Sequence, residues 1–485
     1  MKKIFLLLLM AVLLITAFVL FRTFTFTMEP VAYEPVEKTE VPPSAGNHLA
    51  EAISIPTVSF GDREPDSAAF FGFQRFVKHT YPLTDSLLDQ TNINTYSLVF
   101  ERKGSDPNLK PVILMGHYDV VPVVEEDLDK WSHPPFANTI EDGIIWGRGA
   151  IDDKVTVIGL LEAVELLLQQ NFIPKRTIYL CFGHDEEIGG MNGAVKIVEY
   201  LKSKEVDAAF VLDEGFAITE GIVPGVKEKV ALIGTAEKGF ITLNLSVDVT
   251  GGHSSMPASE SAVDIMARAV VKLKDNPFPT RITKPVEEFL SELGPAMPFS
   301  TRMAIANQWL FGPVIMDQLS ETPSGNALMR TTTAPTIFQS GVKDNVIPYS
   351  AKATVNFRTL PGTSNADVIS HVRETIGDDR IKITEGPFNS ESPLASSSEG
   401  FGYTVIQRTV HEVFPNILSA PNLVVGATDS RYYYPLSDNV YRFTPMQLNP
   451  EIMTTFHGVD EHISVSDFEN AIRYYVQLIH NTDNE

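Results

Sequence analysis

Apolar and polar positions change their rhythm several times along the chain, and each rhythm predicts an element. Behind Lys2 and Lys3 lies an apolar run from Ile4 to Phe21, broken only by Thr16. That run approaches the roughly 20 residues that span a bilayer core, whereas a cleaved signal has a shorter stretch, about 7–15 residues, and small residues at its cleavage site. Val19-Leu20-Phe21-Arg22 offers bulky side chains instead. The expectation is therefore a single-pass anchor, with a cleaved signal peptide as the alternative. The two lysines favour a cytoplasmic N-terminus and a folded part outside the cytoplasm. Glu29 to Gly46 is rich in Pro, Glu and Thr without apolar periodicity and predicts an extended tether, so the fold is expected to begin near Asn47.

Short apolar runs bounded by polar turns, Pro111 to Met115, Arg176 to Phe182 and Ala208 to Leu212, read as buried strands. Val155 to Gln170, between the first two, has the length and apolar faces of a helix. Such alternation implies right-handed crossovers and an α/β fold with a mainly parallel central sheet, whose functional groups collect at the strand carboxyl ends. From Gly239 the rhythm becomes strictly alternating. Phe240 to Val249 and Ala351 to Phe357 predict half-exposed antiparallel strands, and Ala262 to Lys274 and Asn365 to Ile376 predict helices. An α+β domain thus interrupts the first one, and the chain returns to it through a last helix, Ser466 to Ile479. The expected division is 1–25 anchor or signal, 26–46 tether, 47–237 with 389–485 catalytic domain, and 238–388 inserted lid.

Composition narrows the function. At 485 residues the chain is too long for one ordinary core, and 44% hydrophobic residues is ordinary for a globular protein. A formal charge of −23 argues against nucleic acid as a partner, since phosphate neutralisation needs basic stripes. Cys181 is the single cysteine, which excludes an intramolecular disulfide and a cysteine-rich metal cluster. Ligands for a metal must then come from His, Asp and Glu.

Five separated segments supply such residues: Gly116-His117-Tyr118-Asp119, Gly149-Ala150-Ile151-Asp152-Asp153-Lys154, Asp185-Glu186-Glu187-Ile188-Gly189-Gly190, Leu212-Asp213-Glu214-Gly215 and Phe456-His457-Gly458. Three follow predicted strands. His117 and Asp119 share a face on an extended segment, so the carboxylate can hold the second imidazole nitrogen. Asp152, in the turn that enters a helix, is the candidate for the anion that two dications about 3.5–4 Å apart must share. Helix capping is the plain alternative for Asp152 and Asp153. Glu186 and Glu187 point in different directions if extended, which lets one bind metal while the other faces a water. Asp213 and His457 complete the set. His462 rivals His457, although Glu461 and Ile463 beside it fit an ordinary surface segment. His253, in the glycine-hinged Thr250-Gly251-Gly252-His253-Ser254-Ser255, is suited to stabilising an oxyanion, and Arg358 to pairing with a substrate carboxylate.

Together these motifs resemble the aminoacylase and carboxypeptidase family of di-zinc metallopeptidases. The likeness rests on Gly116 to Pro122, Trp146 to Lys154, Asp185 to Gly190 and Gly251 to Ser255 and covers nearly the whole chain after the tether. Asp152-Asp153-Lys154, Leu212-Asp213-Glu214-Gly215 and the N-terminal apolar run resemble its carboxypeptidase S and N-acyl amino acid hydrolase branch. Many relatives carry Glu where this chain has Asp213. The resemblance implies a zinc-exopeptidase-like sheet with helices on both faces and a lid domain. It also implies two zinc ions, with cobalt or manganese as substitutes: one held by His117, Asp152 and Asp213, the other by Asp152, Glu187 and His457. Glu186 becomes the general base toward a metal-bridging water, and Asp119 the partner of His117. His253, Asn345 and Arg358 would meet the substrate when the lid closes. In several members the lid histidine acts across a homodimer; the extra sequence between Lys284 and Pro335 departs from that pattern, and its apolar residues are candidates for acyl-group walls or for core. The expected reaction is hydrolysis of an amide or peptide bond next to a free carboxylate, on a small molecule or short peptide. A membrane-tethered binding protein with the same fold and a two-metal phosphoesterase are the competing readings.

Overall fold

The computed structural model describes residues 1–28 and 33–483. A helix Lys2–Thr25 is long and apolar enough to cross a membrane, with most of its side chains exposed. Of the expected tether, residues 29–32 lie outside the described residues. From Tyr33 onward the chain is a docked strap. The Val36 N–H donates to Glu412 O (3.1 Å) and Arg473 Nε to Thr39 O (3.0 Å), while Tyr33 stacks on His411. The first helix of the folded body is Ala45–Ser54.

Among the described residues a ten-stranded sheet runs in the order Asp89–Ile93, Ser97–Arg102, Ile178–Gly183, Val112–His117, Phe210–Asp213, Val440–Arg442, Val230–Glu237, Ile218–Thr219, Gln447–Leu448, with Leu418–Val424 joining Val230–Glu237 off this path. Its centre, from Ile178–Gly183 to Val440–Arg442, is parallel, and antiparallel pairs are added toward the margins. The strand period of two sorts the side chains. Val112, Leu114, Leu180 and Phe182 pack with helices Lys154–Gln169 and Val465–Asn481 on one face. Ile113, Met115, Tyr179 and Cys181 pack with helix Ala194–Ser203 on the other, so the lone thiol is buried in a strand. Because both faces are covered, these strands are continuous apolar runs rather than alternating ones.

A second sheet, antiparallel throughout, has the order Thr332–Ser340, Ser350–Thr359, Gly239–Asp248, Lys382–Ser390. Ile241, Leu243, Leu245 and Val247 point alternately inward against helices Ala262–Asp275 and Asn365–Ile376, both begun by a serine–aspartate capping box. Helices between Lys284 and Met329 lie within the same stretch of sequence but share their core with the large sheet. Val286, Leu290, Leu293 and Met329 pack with Leu232, Ala236, Ala420 and Leu423.

Candidate active site

The strand Val112–His117 lies between Ile178–Gly183 and Phe210–Asp213, so the chain leaves it first to one side and then to the other. Such a reversal opens a crevice beyond the carboxyl ends of the strands, and there the titratable groups gather. His117 is the last residue of its strand, Glu186 and Glu187 form a 3-10 turn after Gly183, and Asp152 precedes helix Lys154–Gln169. His457 comes in from the far end of the chain on a turn with φ 54°.

Asp152 is the hub. One of its oxygens lies 3.0 Å from His117 Nε2 and the other 3.0 Å from His457 Nε2. Glu187 reaches the same imidazole, its Oε2 being 3.4 Å from His457 Nε2, and its Oε1 is buried with no hydrogen-bond partner. Donor atoms of His117, Asp152 and Glu187 all fall within 4.8 Å of one another. Two imidazoles aimed at the two oxygens of one carboxylate, with an orphaned carboxylate oxygen beside them, is a donor set that fits a pair of cations sharing Asp152. His462 is not part of it: its Nδ1 takes the Asp460 carbonyl (2.6 Å) and its ring lies on Trp146.

The electrostatics point the same way. Burial pushes the Glu186 carboxyl well above the usual range, opposed by His117 and reinforced by Asp429 and Glu187. Burial also raises Glu187. Asp152 goes down, because hydrogen bonds from His117 and His457 outweigh its burial. Those to Asp152 and Glu187 push His457 up to about 10. A crevice that crowds buried carboxyls in this way calls for positive charge.

Asp119 positions three members at once. Its Oδ1 lies 3.3 Å from His117 Nδ1 and accepts from Glu186 N (3.2 Å), while Oδ2 accepts from Glu187 N (3.3 Å). A second positioning residue was not legible as one. Glu461, read from its neighbours as surface, is fully buried. Its Oε1 accepts the N–H groups of Gly149 (2.9 Å), Ile151 (2.8 Å) and Asp152 (3.3 Å), and its Oε2 pairs with Arg148, which also donates to Gly458 O (3.0 Å). The Asp152 loop and the His457 turn are thereby clamped together.

Asp213, expected to be a ligand, is occupied otherwise. Its Oδ2 accepts from Ser430 N (2.9 Å), Thr428 also bonds it, and it is buried near Arg442. The next residue, Glu214, has its carboxyl raised by burial and then most by the charges of Asp152 and Asp153. Alternation along an extended segment puts neighbours on opposite faces, which makes Glu214 an alternative to Asp213 as the inward-facing carboxylate.

A cleft of about 570 Å³ opens beside Glu186, Glu187 and His457, walled by Phe240 and Phe388 and by two guanidiniums, Arg358 and Arg431. Arg358 lies 4.7 Å over the Phe240 ring; burial and Arg431 lower its pKa. Arg431, which no sequence pattern singles out, lies in the short 3-10 helix Asp429–Tyr432 and donates to the carbonyls of Thr428 (2.9 Å) and Gly189 (3.2 Å). Residues from the Lys284 to Pro335 stretch do not line this cleft; Leu290 and Met297 are core, and Trp309 and Leu310 are exposed elsewhere. His253 and Asn345 are exposed beside each other, on the ribbon that pairs Gly252–His253 with Val346–Ile347, and neither lines the cleft.

Residues 113–481 match the model of peptidase family M20/M25/M40. The chain is 43% identical to the probable carboxypeptidase S-like 2 of Dictyostelium discoideum over 90% of this chain and 84% of that one. It is 40% identical to the N-fatty-acyl-amino acid synthase/hydrolase PM20D1 of Xenopus tropicalis over 98% and 94%. The fold is similar to that of the M20 metallo-carboxypeptidase Sso-CP2 from Sulfolobus solfataricus, with a TM-score of 0.65 at 18% identity, covering 92% of this chain and 100% of that one. These likenesses and the crevice make the protein an enzyme of peptidase or amidohydrolase type, in a family that depends on metal. The chain belongs to peptidase family M20/M25/M40.

Proposed function

We propose that the enzyme is a two-zinc amidohydrolase that cleaves the amide next to a free carboxylate, on N-acyl amino acids or the C-terminal bond of short peptides. The observation that carries this reading is Asp152, which offers one oxygen to the side of His117 and the other to the side of His457. His117, Asp152 and Glu214 would hold one zinc, and Asp152, Glu187 and His457 the other. Bound there, the ions supply Lewis acidity that polarises a carbonyl and makes water nucleophilic near neutral pH. Glu186 accepts the proton of the attacking water and passes it to the leaving amine, a task suited to a carboxyl whose affinity for protons is raised. Asp119 keeps the second nitrogen of His117 engaged, so that Nε2 faces the metal.

Arg358 and Arg431 are assigned to the substrate carboxylate, whose charge would offset the repulsion that Arg431 exerts on Arg358. Phe240 and Phe388 supply apolar wall for the acyl or side-chain portion. His253 and Asn345 are assigned to a closed state in which the second sheet, between Gly239 and Ser390, swings as a lid over the cleft or is offered by a second copy of the chain. Helix Lys2–Thr25 is assigned as a membrane anchor with the catalytic part outside the cytoplasm.

The test is a substrate panel on the full chain: N-fatty-acyl amino acids, dipeptides, their methyl esters and phosphate esters, with metal content measured in parallel. Hydrolysis of free acids, loss on chelation and a sharp drop on esterification are expected. Equal rates on acid and methyl ester would remove the carboxylate-binding role, and preferred release of phosphate would replace the amidase by a phosphoesterase.

A further inference from the structure

The N-terminal helix does not leave the body as a free stalk. Its last two turns are covered by the segment 294–309. Val19 and Thr23 are buried, Asn307 Nδ2 donates to Val19 O (3.2 Å) and Thr23 Oγ1 (3.3 Å), Phe18 meets Trp309 with ring centroids 6.0 Å apart, and Phe24 meets Phe299 at 5.9 Å. At about 1.5 Å of rise per residue, Phe24 lies roughly 30 Å along the axis from Ile4, and Phe18 about 9 Å short of it. A bilayer core is about 30 Å thick, so a helix that enters at Ile4 brings Phe299 to the far boundary and Trp309 below it.

The surface that would be carried down is mainly apolar, with Ser300 and Thr301 as exposed uncharged polar residues. Helix Gln308–Ser320 exposes Trp309 (55%), Leu310 (43%), Pro313 and Val314 (49%) as one stripe, and the exposure turns polar only at Asp317 and Gln318. Phe299 (45%) extends the stripe. In a chain with 61 acidic residues, Leu293 to Met316 contains none, and its one charged residue is Arg302. Arg22, at the end of the apolar run, meets a cavity of about 470 Å³ whose polar side is Thr25, Glu287, Ser291 and Gln308 and whose apolar side includes Phe26 and Trp309, at the level where headgroups begin.

We propose that Phe299 to Val314 is a membrane-seated platform, inserted into the non-cytoplasmic leaflet beside the N-terminal helix. The bilayer is the occupant because the stripe is continuous with a helix of membrane length and lies at the same depth. Interfacial helices seat their apolar face about 5–10 Å below the headgroups, which matches the offset between Phe18 and Phe24. The platform holds the enzyme against the lipid surface and is independent of the reading of the active site, though it requires the helix to be retained.

The test uses the full chain in phosphatidylcholine vesicles. The emission lost on Trp309→Phe isolates Trp309, and its quenching is compared for lipids brominated near the headgroup end or deep in the acyl chain, and for aqueous acrylamide. Shallow bromines are expected to quench about half or more of that component and acrylamide little, as for an interfacial side chain. Leu310→Glu with Val314→Glu, on the exposed face, is expected to restore acrylamide access while leaving the far-UV spectrum and soluble-substrate turnover unchanged. Acrylamide quenching of the unsubstituted chain without bromine quenching would overturn the proposal, as would a mature chain that has lost residues 2–25 and floats free of vesicles.

Discussion

Replacing Glu461 with Gln tests how the metal centre is held. The fully buried carboxylate gives Oε1 to three N–H groups of the Asp152 loop and Oε2 to Arg148. A Gln amide matches only one of those two sides. Its NH₂ must face either the three N–H groups or the guanidinium, donor against donor, and Arg148 is left charged and buried. Stranding one partner of a buried pair costs about 3–5 kcal/mol, a large part of the roughly 5–15 kcal/mol that holds a typical domain. The loop that presents Asp152 is loosened as well, and lost outer support of a ligand lowers metal affinity by about 10–100-fold. Denaturant unfolding reads the first effect, and competition for zinc against a chromophoric chelator reads the second on the folded fraction. Adding Arg148→Met removes the stranded charge, so the double variant is expected to regain stability but not affinity. Wild-type zinc affinity in Glu461→Gln would refute the positioning argument, whatever its stability.

Three further outcomes are expected. Glu186→Gln retains its metals by elemental analysis and loses about 10²–10⁴ in kcat, the share a general base contributes. Glu214→Gln loses one of two metals while Asp213→Asn keeps both; the reverse result would return the ligand role to Asp213. Lys238 is buried, its Nζ on the carbonyls of Ala327 (2.9 Å) and Arg330 (2.8 Å), and burial with the nearby Arg358 charge lowers it to about 7 from 10.5. The unfolded chain therefore binds more protons than the folded one between those values, so stability rises as pH climbs from about 7 toward 10, by a few kcal/mol at about 1.36 kcal/mol per unit. Lys238→Met is expected to flatten that rise in urea midpoints measured across the window.

The buried strands and most of the crevice were legible because a strand covered on both faces writes itself as a contiguous apolar run, and the groups after it stand at its carboxyl end. His117, Glu186 and Glu187 are read this way, and Asp152 by its place before a helix. What was hidden depends on contacts distant in sequence. Asp213 and Glu214 differ by one step of a strand, and no local pattern says which step faces the crevice. Glu461 lies outside any regular element and Arg431 in a single 3-10 turn too short to leave a pattern, and their charge reads as surface until the Asp152 loop and the Glu186 turn fold over them. The helices from Lys284 to Met329 carry an apolar face that either sheet could cover. His253 belongs to a motif plain in sequence, yet its distance from the cleft is set by the orientation of the second sheet.

The strand Val440–Arg442 fills the gap between Phe210–Asp213 and Val230–Glu237, both made more than two hundred residues earlier. During synthesis those earlier strands wait with open hydrogen-bonding edges, and the central layer closes only when Val440–Arg442 arrives, with His457 and Glu461 following it closely in sequence. A chain stopped before that strand would lack both the seam of the sheet and two of the groups that build the crevice, so the site is assembled late in folding.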